Sequence, residues 1–396
     1  MLNVLMLGAG FIGRFYADAI LGNRNKDRIV GIYSRKEEVG KKFMADYNCV
    51  FYETDLEKAI AHPQVDIVCV ALPNHLHLKA TELCCQYKKG IIMTKPLARN
   101  AAEAFKILQL IEENQLFNGY LEDLVYTPKM LKALQTVKNG GIGRVLWAKS
   151  RETHPGPHSD WFWDMEQAGG GCMLDLGCHC VEIARSYIGK DIKPVEAMCW
   201  ADTQVKPIQA EDHAIGLIRY ENGAIGQFEA SWCFRGGMDL RDEVMGTEGT
   251  IWINNFLRTG LEMFCTGNAS DYVAEKAEIN KGWLFPVGDE VNDLGYNHMF
   301  KDMFESFEQH KQPIETFYDG YIVNEILEAC YKSAKSKRWE PIDLKVWRGL
   351  ENQTKKIDLI SYDDNHWLIK EEITHYGAKK LILKHKATNE ILEKII

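Results

Sequence analysis

Hydrophobic positions in the first hundred residues form short continuous apolar runs separated by amphipathic stretches. The apolar runs occupy residues 3–7, 28–33, 65–72 and 90–97, and helical periodicity is found at 41–47 and 77–87. Continuous apolar strands that alternate with helices are typical of a parallel sheet covered on both faces. We therefore predict a doubly wound α/β domain over residues 1–120.

The pattern changes after residue 120. Between residues 190 and 265 apolar and polar positions alternate, with glycines between the runs, which is typical of antiparallel strands joined by turns. Amphipathic helices are predicted at 295–310 and 318–336, where they would pack back onto the first domain. We predict a second, α+β domain over 121–341 with a large open, mainly antiparallel sheet. Residues 342–396 form a strand-rich extension for which the sequence indicates no function.

Composition restricts the class of protein. Of the 396 residues, 46% are hydrophobic and 26% are charged, the balance of a soluble globular protein. A net charge of −9 argues against a nucleic-acid partner. No run approaches about 18 apolar residues, and the N-terminal run is too short for a signal peptide. We expect a cytoplasmic protein with no membrane partner.

The 11 cysteines show no paired CxxC spacing, so we predict buried apolar side chains rather than metal ligands. Cys178 and Cys180 would point to different faces of a helix, which suits a zinc site poorly. A metal pair of His154 and His158 would have only Glu152 as a nearby carboxylate. We predict no metal site.

The motif Gly8-x-Gly10-x-x-Gly13 lies between the first apolar run and a helix. In such a motif the first glycine permits a tight turn, the second lets a pyrophosphate approach, and the third allows close helix–strand packing. The free N–H groups at the helix start, around Phe11 and Ile12, attract phosphate. The spacing predicts a dinucleotide site, and a glycine-rich turn without a ligand is the alternative.

Ser34 and Arg35 follow the second strand, where an acidic residue would bind the ribose 2′-OH of NAD. Arg35 would instead hold a 2′-phosphate or stack on the adenine. These residues alone leave the choice between NAD and NADP open.

Two further loops follow buried strands at the ligand-binding edge of the predicted sheet. One loop carries four candidate cofactor contacts, Leu72, Pro73, Asn74 and His77, and the other carries Lys95. A lysine beside a nicotinamide lowers the pKa of a substrate hydroxyl, so Lys95 is a candidate for both cofactor and substrate contact.

Four motifs together resemble the Gfo/Idh/MocA family: the GxGxxG start, PNxxH at 73–77, Lys95-Pro96, and GGGxxxDxGxH at 169–179. The resemblance spans roughly residues 1–340. It implies a Rossmann domain, then an α/β domain whose open sheet carries the substrate site and forms a homo-oligomer interface. It also implies that NAD is the cofactor and that Lys95, Asp175 and His179 are catalytic. The family usually has Glu before Lys-Pro, and the Thr94 found here leaves open how the lysine is ordered.

Asp175 and His179 stand four residues apart and would share one face of a helix. Glycines 169–171 would let the chain pass close to bound cofactor or substrate. An Asp–His contact that only braces the helix is the alternative to catalysis.

Candidate substrate contacts follow the first domain. By the family resemblance Glu122, Asp123 and Tyr126 fall where nicotinamide or substrate is contacted. A long loop after residue 150 carries five further candidates: Arg151, His154, His158, Trp161 and Trp163. The two tryptophans would stack on a pyranose ring, with the arginine and histidines along its rim. A hydrophobic cluster under the loop is the alternative.

We predict an NAD-dependent oxidoreductase that oxidises a secondary hydroxyl, at C3, of a sugar or glycoside. His179 takes the hydroxyl proton, Lys95 stabilises the alkoxide, and Asp175 orients the pair. The loop resembles that of bacterial glycoside 3-oxidoreductases of the C-glycoside-cleaving type. The alternatives are an inositol dehydrogenase, an NAD-dependent glycosidase that oxidises C3 transiently, and a nucleotide-sensing regulator without turnover.

Overall fold

A computed structural model describes residues 1–24, 26–256, 261–267 and 272–396. Contacts within the chain divide it into two compact units, Met1–Gln353 and Thr354–Ile396. The first unit contains the predicted α/β domain (1–120) and the predicted α+β domain (121–341). Residues 342–353, which the sequence assigned to the extension, lie within the first unit.

The first sheet is parallel and has the strand order β3-β2-β1-β4-β5-β6. Its strands are β1 Asn3–Leu7, β2 Arg28–Tyr33, β3 Phe51–Glu53, β4 Ile67–Val70, β5 Gly90–Thr94 and β6 Asn118–Leu121. The connecting helices are α1 Phe11–Asn23, α2 Glu37–Asp46, α3 Leu56–Ala61, α4 His77–Tyr87 and α5 Ala101–Asn114. The predicted doubly wound sheet is confirmed. Its strand order reverses between β1 and β4, so the carboxyl ends of these strands open a crevice for ligands.

The second part of the first unit contains strands and helices in mixed order. The helices are α6 Pro128–Lys138, α7 Met165–Ala168, α8 Cys172–Asp175, α9 Gly177–Ile188, α10 Glu290–Asp293, α11 Tyr296–Glu308 and α12 Phe317–Ser336. The strands are β7 Val145–Thr153, β8 Pro194–Asp202, β9 His213–Tyr220, β10 Ile225–Ser231, β11 Asp239–Gly246, β12 Thr250–Asn254, β13 Met263–Cys265, β14 Gly282–Leu284 and β15 Glu340–Pro341. Short 3₁₀ turns lie at Asn74–Leu76, Asp123–Tyr126 and Asp160–Trp163.

Seven of these strands form one sheet in the order β12-β11-β7-β10-β9-β8-β15. All neighbouring pairs are antiparallel except β7 and β10, which run parallel, so the predicted open, mainly antiparallel sheet is confirmed. The run at 261–267 does not join it. Its strand β13 pairs with β14 in a separate two-stranded sheet.

Helix α9 packs against β7 and β10, and α12 packs against β8. A buried ion-pair cluster holds the two helices together. Arg185 of α9 pairs with Glu182 at 2.8 Å and with Asp319 of α12, and Lys190 pairs with Glu182 at 2.9 Å. Removing one member of such a cluster would leave buried charge unpaired, so the cluster fixes the position of α9.

The C-terminal unit is a four-stranded antiparallel sheet in the order β16-β17-β18-β19. Its strands are β16 Ile360–Ser361, β17 His366–Ile373, β18 Lys379–His385 and β19 Ile391–Ile395. Across the described ranges, no helix has both the length and the apolar composition that a membrane span requires.

Candidate active site

A cavity of about 800 Å³ opens at the carboxyl ends of β1, β2, β4 and β5, and its far wall is formed by the second sheet and the loop after β7. Many predicted site residues line it: Gly8, Gly10, Phe11, Ile12, Ser34, Arg35, Leu72, Pro73, Asn74, Lys95, His154, His158, Trp161, Asp175 and His179. The cavity therefore brings together the predicted nucleotide loop and most of the predicted reactive side chains.

The glycine loop fits a dinucleotide pyrophosphate. Gly8 has a φ of +107°, and a Cβ there would lie 2.3 Å from the carbonyl oxygen of Ala71. A Cβ at Gly10 would meet no atom within 4 Å, and that space belongs to the cavity. Helix α1 begins without a side-chain cap, so its first N–H groups face the same space. Gly13 lies outside the lining and packs against the backbone of Gly8, as helix–strand packing requires.

The ribose end of the cavity is lined by Ser34, Arg35 and Lys36. The Ser34 hydroxyl donates to the Lys36 carbonyl at 3.1 Å, which holds the turn after β2. Phe11 at the start of α1 contacts the His158 ring with centroids 4.8 Å apart. This contact joins the nucleotide loop to the loop after β7.

Lys95 is held by Asp175. Its Nζ donates to the carbonyl of Asp175 at 2.7 Å and to Oδ1 at 2.8 Å, while Oδ2 accepts from Trp232 Nε1 at 3.1 Å. Burial disfavours the charged lysine, but Asp175, Cys178 and Glu152 together outweigh this effect and raise the lysine pKa well above its usual value. For Asp175, burial alone would raise the pKa, but the nearby charge of Lys95 contributes to a net lowering of the pKa. Thr94 bonds Tyr16 at 2.8 Å instead, so the lysine is ordered by Asp175.

His179 is paired with Glu122. The Nδ1 atom of His179 bonds Oε1 of Glu122, and Nε2 is the ring nitrogen left for a substrate. Burial, with a smaller contribution from Lys95, lowers the pKa of His179 to about 3. Burial raises the pKa of Glu122 to about 8. The imidazole is therefore neutral at physiological pH, and the protonation state of Glu122 decides which ring nitrogen carries its proton.

Asp175 and His179 both face the cavity although they do not share one helix. Asp175 ends α8 and His179 lies in α9, with Leu176 between the two helices. The glycine run before them packs against protein rather than against the cavity. A Cβ at Gly171 would lie 1.9 Å from the Glu211 carbonyl oxygen, which explains a glycine there without a ligand.

Further ionisable side chains line the substrate side of the cavity, and the sequence did not single them out for ligand binding. They are Glu152, Glu275 and Lys276. Burial raises the pKa of Glu152 well above its usual value and lowers that of Lys276. Asp123, which the family pattern did indicate, also lines the cavity, and burial raises its pKa to about 7.

Glu152 and Arg151 show why the sequence selected one residue and missed its neighbour. Successive side chains of a strand point to opposite faces. In β7 the residues Ser150 and Glu152 lie on the buried face, and Arg151 lies on the other, where it pairs with Glu229 and with Asp239 at 2.9 Å. Arg151 is absent from the cavity lining. The alternation of buried and exposed positions along β7 could have shown from the sequence that Glu152 lies on the buried face.

Four other predicted contacts also lie outside the lining. His77 is buried, with its ring nitrogens 3.1 Å and 3.0 Å from the carbonyl oxygens of Leu97 and Leu72. The buried Tyr126 hydroxyl donates to Asp302 at 2.8 Å. These two side chains hold loops in place. Their roles as ligand contacts stay predictions.

Glu122 supports the cavity from behind His179 rather than lining it. Trp163 packs on Trp232 with ring centroids 5.2 Å apart, whereas Trp161 lines the cavity and stacks on Phe162 with centroids 3.7 Å apart. Of the two predicted stacking tryptophans, the structure brings Trp161 to the cavity.

One group near the site has ligand atoms close enough to hold a metal ion: Glu122, Cys178 and His179, whose atoms lie within 4.8 Å of one another. Burial raises the pKa of the Cys178 thiol well above its usual value, and its Sγ donates to the Asp175 carbonyl at 3.1 Å. A neutral thiol is a poor metal ligand. We retain the prediction of no metal site.

Two family profiles match the chain. Residues 2–120 match the NAD-binding Rossmann fold of the oxidoreductase family, and residues 130–252 match the GFO/IDH/MocA C-terminal domain. The combined match is consistent with the two parts of the first unit.

Named relatives are similar over most of the chain. Levoglucosan dehydrogenase of Pseudarthrobacter phenanthrenivorans is 24% identical over 72% of this chain and 82% of its own length. Myo-inositol 2-dehydrogenase of Thermotoga maritima is 25% identical over 85% of this chain and 97% of its own. The crystal structure of GenD2 from gentamicin A biosynthesis, in complex with NAD, superposes with a TM-score of 0.81 at 27% identity, covering 87% of this chain and 97% of that one. The chain belongs to the Gfo/Idh/MocA family of NAD-binding oxidoreductases.

Proposed function

We propose that this protein oxidises a secondary hydroxyl of a sugar or glycoside, with NAD as the hydride acceptor. One observation carries the proposal: the Lys95–Asp175 and Glu122–His179 pairs face the same cavity as the glycine loop. The relatives named as levoglucosan and inositol dehydrogenases support a polyhydroxylated ring as the substrate. We assign the catalytic roles to Lys95, Asp175 and His179.

The three side chains have separable roles. His179 Nε2 accepts the proton of the substrate hydroxyl as general base. Lys95, charged because of Asp175, stabilises the negative charge that develops on the same oxygen. Asp175 fixes the lysine through two hydrogen bonds and is itself fixed by Trp232. An unpaired lysine in this buried position would lose its proton more readily, so Asp175 keeps the cation available.

The pairing of His179 with Glu122 predicts how the rate depends on pH. Above a pH of about 8 the ionised Glu122 accepts the Nδ1 proton and leaves a lone pair on Nε2. Below it, protonated Glu122 donates to Nδ1, and the imidazole proton stays on Nε2, where it blocks proton acceptance. We therefore expect kcat for oxidation to rise as pH increases through about 8. A pH–rate profile of Glu122→Gln, compared with that of the unmodified protein, should lack this rise. An identical rise in both profiles would contradict this assignment.

The aromatic wall favours a glycoside over a small cyclitol. Trp161, stacked on Phe162, offers an apolar face to the C–H face of a pyranose. We propose oxidation at C3, as in the glycoside 3-oxidoreductases that the loop resembles. A glycosidase that oxidises C3 transiently would use the same residues. Release of free sugar without net NADH would identify that second candidate.

A substrate panel with NAD tests the proposal, with NADH formation as the readout. We expect an aryl β-glucoside to be oxidised with a higher kcat/KM than glucose or myo-inositol. Trp161→Ala should raise KM for the aryl glucoside by about 10–100-fold, the loss expected for one stacked ring, and affect free glucose less. Trp161→Phe keeps an aromatic face and serves as the control. Inositol as the best substrate, with no selective effect of Trp161→Ala, would favour a cyclitol dehydrogenase.

We propose in addition that the second sheet forms a homo-oligomer interface. Its face opposite the helices exposes four large apolar side chains: Trp200, Ile215, Met245 and Trp252. Trp200 and Ile215 are cross-strand neighbours on β8 and β9, and Met245 and Trp252 lie on β11 and β12. Exposed apolar patches of this kind commonly mark a protein interface. The molar mass in solution, measured for the protein and for Trp252→Glu, tests the assignment.

A further inference from the structure

Glu152 is a buried carboxyl that faces the cavity. It lies one residue before the end of β7, is 3% exposed, and lines the cavity. Its Oε2 atom is buried and accepts no hydrogen bond from the described residues. An unsatisfied buried oxygen destabilises the folded protein, so its presence at this wall calls for a group that arrives with the ligand.

The cations near Glu152 are committed to other groups. Lys95 is held by Asp175, as described above. Lys276 donates to the Gly156 carbonyl at 3.3 Å and lies 3.8 Å from a carboxylate oxygen of Glu275. Neither lysine therefore satisfies Glu152.

A neutral hydroxyl suits the vacant oxygen better than a charged group does. Burial favours the protonated form of Glu152, and the nearby Asp175, Asp123 and Glu122 act in the same direction on its pKa, while Lys95 opposes them. A protonated carboxyl both donates and accepts one hydrogen bond with little desolvation cost. Sugar hydroxyls offer the matching donor and acceptor.

We propose that Glu152 determines substrate specificity by hydrogen bonding a second hydroxyl of the ring that is oxidised. The substrate class is then a neutral polyhydroxylated ring, and an amino sugar is a poor substrate. This inference rests on the proposed function and deepens it. Glu152 binds the ring away from the reacting oxygen, which Lys95 and His179 contact.

Asp242 provides a matched control. It lies on the neighbouring strand β11, is 3% exposed like Glu152, and bonds the Ser150 hydroxyl at 2.8 Å. Ser150 is on the same face of β7 as Glu152, but Asp242 is not among the residues that line the cavity. Asp242→Asn thus removes a buried carboxylate from the same sheet without touching the proposed hydroxyl site.

The first experiment uses methyl β-D-glucopyranoside and its 2-, 4- and 6-deoxy analogues, with kcat/KM for NADH formation as the readout. The unmodified protein should discriminate against one analogue by about 10–100-fold, because a buried carboxyl is left without its partner. In Glu152→Leu the ratio of kcat/KM between the parent glucoside and that analogue should fall to about threefold or less. Glu152→Gln, which keeps a donor and an acceptor, and Asp242→Asn should both retain the discrimination. The 2-amino-2-deoxy analogue should be oxidised less well than the parent.

A second measurement separates a ligand-binding role from a purely structural one. Without substrate, Glu152→Leu should raise the melting temperature by about 1–3 °C, since the variant removes an unsatisfied oxygen. A structural carboxyl would show the opposite change. The inference is overturned if Glu152→Leu has a lowered melting temperature and the same kcat/KM ratio between parent glucoside and deoxy analogue as the unmodified protein. It is also overturned if the amino sugar is the preferred substrate and this preference is lost in Glu152→Leu. Failure of the unmodified protein to oxidise any sugar or cyclitol would instead remove the proposed function, and this inference with it.

Discussion

His179→Ala and Lys95→Ala should each lower kcat by about 10²–10⁴-fold while NAD binding is retained. Both side chains act on the substrate hydroxyl, one as proton acceptor and one as the cation that stabilises the alkoxide. Neither contacts the glycine loop. Steady-state kinetics would give the loss in kcat, and titration with NAD would show an unchanged dissociation constant.

Lys129→Ala is the matched control for the lysine. Its Nζ donates to the carbonyl of Asn254 at 2.7 Å, and it is not among the residues that line the cavity. Its kcat should stay within about twofold of that of the unmodified protein, as expected for an exposed residue away from the site. Near-normal turnover in both His179→Ala and Lys95→Ala would refute the assignment of these two residues.

Gly10→Val should weaken NAD binding by more than about 100-fold and leave the folded protein stable. A side chain at this position meets no protein atom within 4 Å, so the apoprotein accommodates it. The same space is where a pyrophosphate would approach the start of α1. Calorimetric titration measures the affinity, and thermal unfolding without nucleotide measures the stability.

Gly22→Val is the control for this change. Gly22 lies in α1, the helix that Gly10 precedes, and is exposed, and a Cβ at this position would likewise meet no atom within 4 Å. Its variant should bind NAD normally and show the usual rise in melting temperature on adding NAD. Gly10→Val with unchanged NAD affinity would mean that the dinucleotide does not bind at this loop.

The sequence alone predicted the parts of the site that depend on local order along the chain. Gly8, Gly10 and Gly13 carry their function through spacing at a strand–helix junction, and such a junction is readable from periodicity. Lys95 and His179 were indicated by motifs of the family. Their convergence on one cavity follows from the topology of a parallel sheet, whose strand ends meet at one edge.

Hydrogen-bond partners that are far apart in the sequence could not be predicted from local patterns. Trp232 donates to Asp175 across 57 positions, and Glu122 bonds His179 across 57 positions. No local pattern connects these residues. The family pattern placed Glu122 near the nicotinamide, whereas in the fold it supports the histidine.

Side-chain direction was decided by tertiary packing. The two loop tryptophans were equivalent in the sequence, but Trp163 packs on Trp232 whereas Trp161 lines the cavity. The glycine run ending at Gly171 was explained by a ligand, whereas its close neighbour is the Glu211 carbonyl.

The catalytic roles of Lys95, Asp175 and His179 were implied by the family resemblance and stay a proposal. What the sequence by itself determined was the order of strands and helices and the nucleotide loop. These rest on periodicity and spacing, which are properties of neighbours along the chain. The tertiary structure decided which side chains face the cavity and which are satisfied by protein. Arg151 and Glu152 are adjacent in β7, yet ion pairs hold the first on the far face, while the second faces the cavity with one oxygen that no described residue hydrogen bonds. The free energy of burying a charge depends on its partners, and only the fold supplies them.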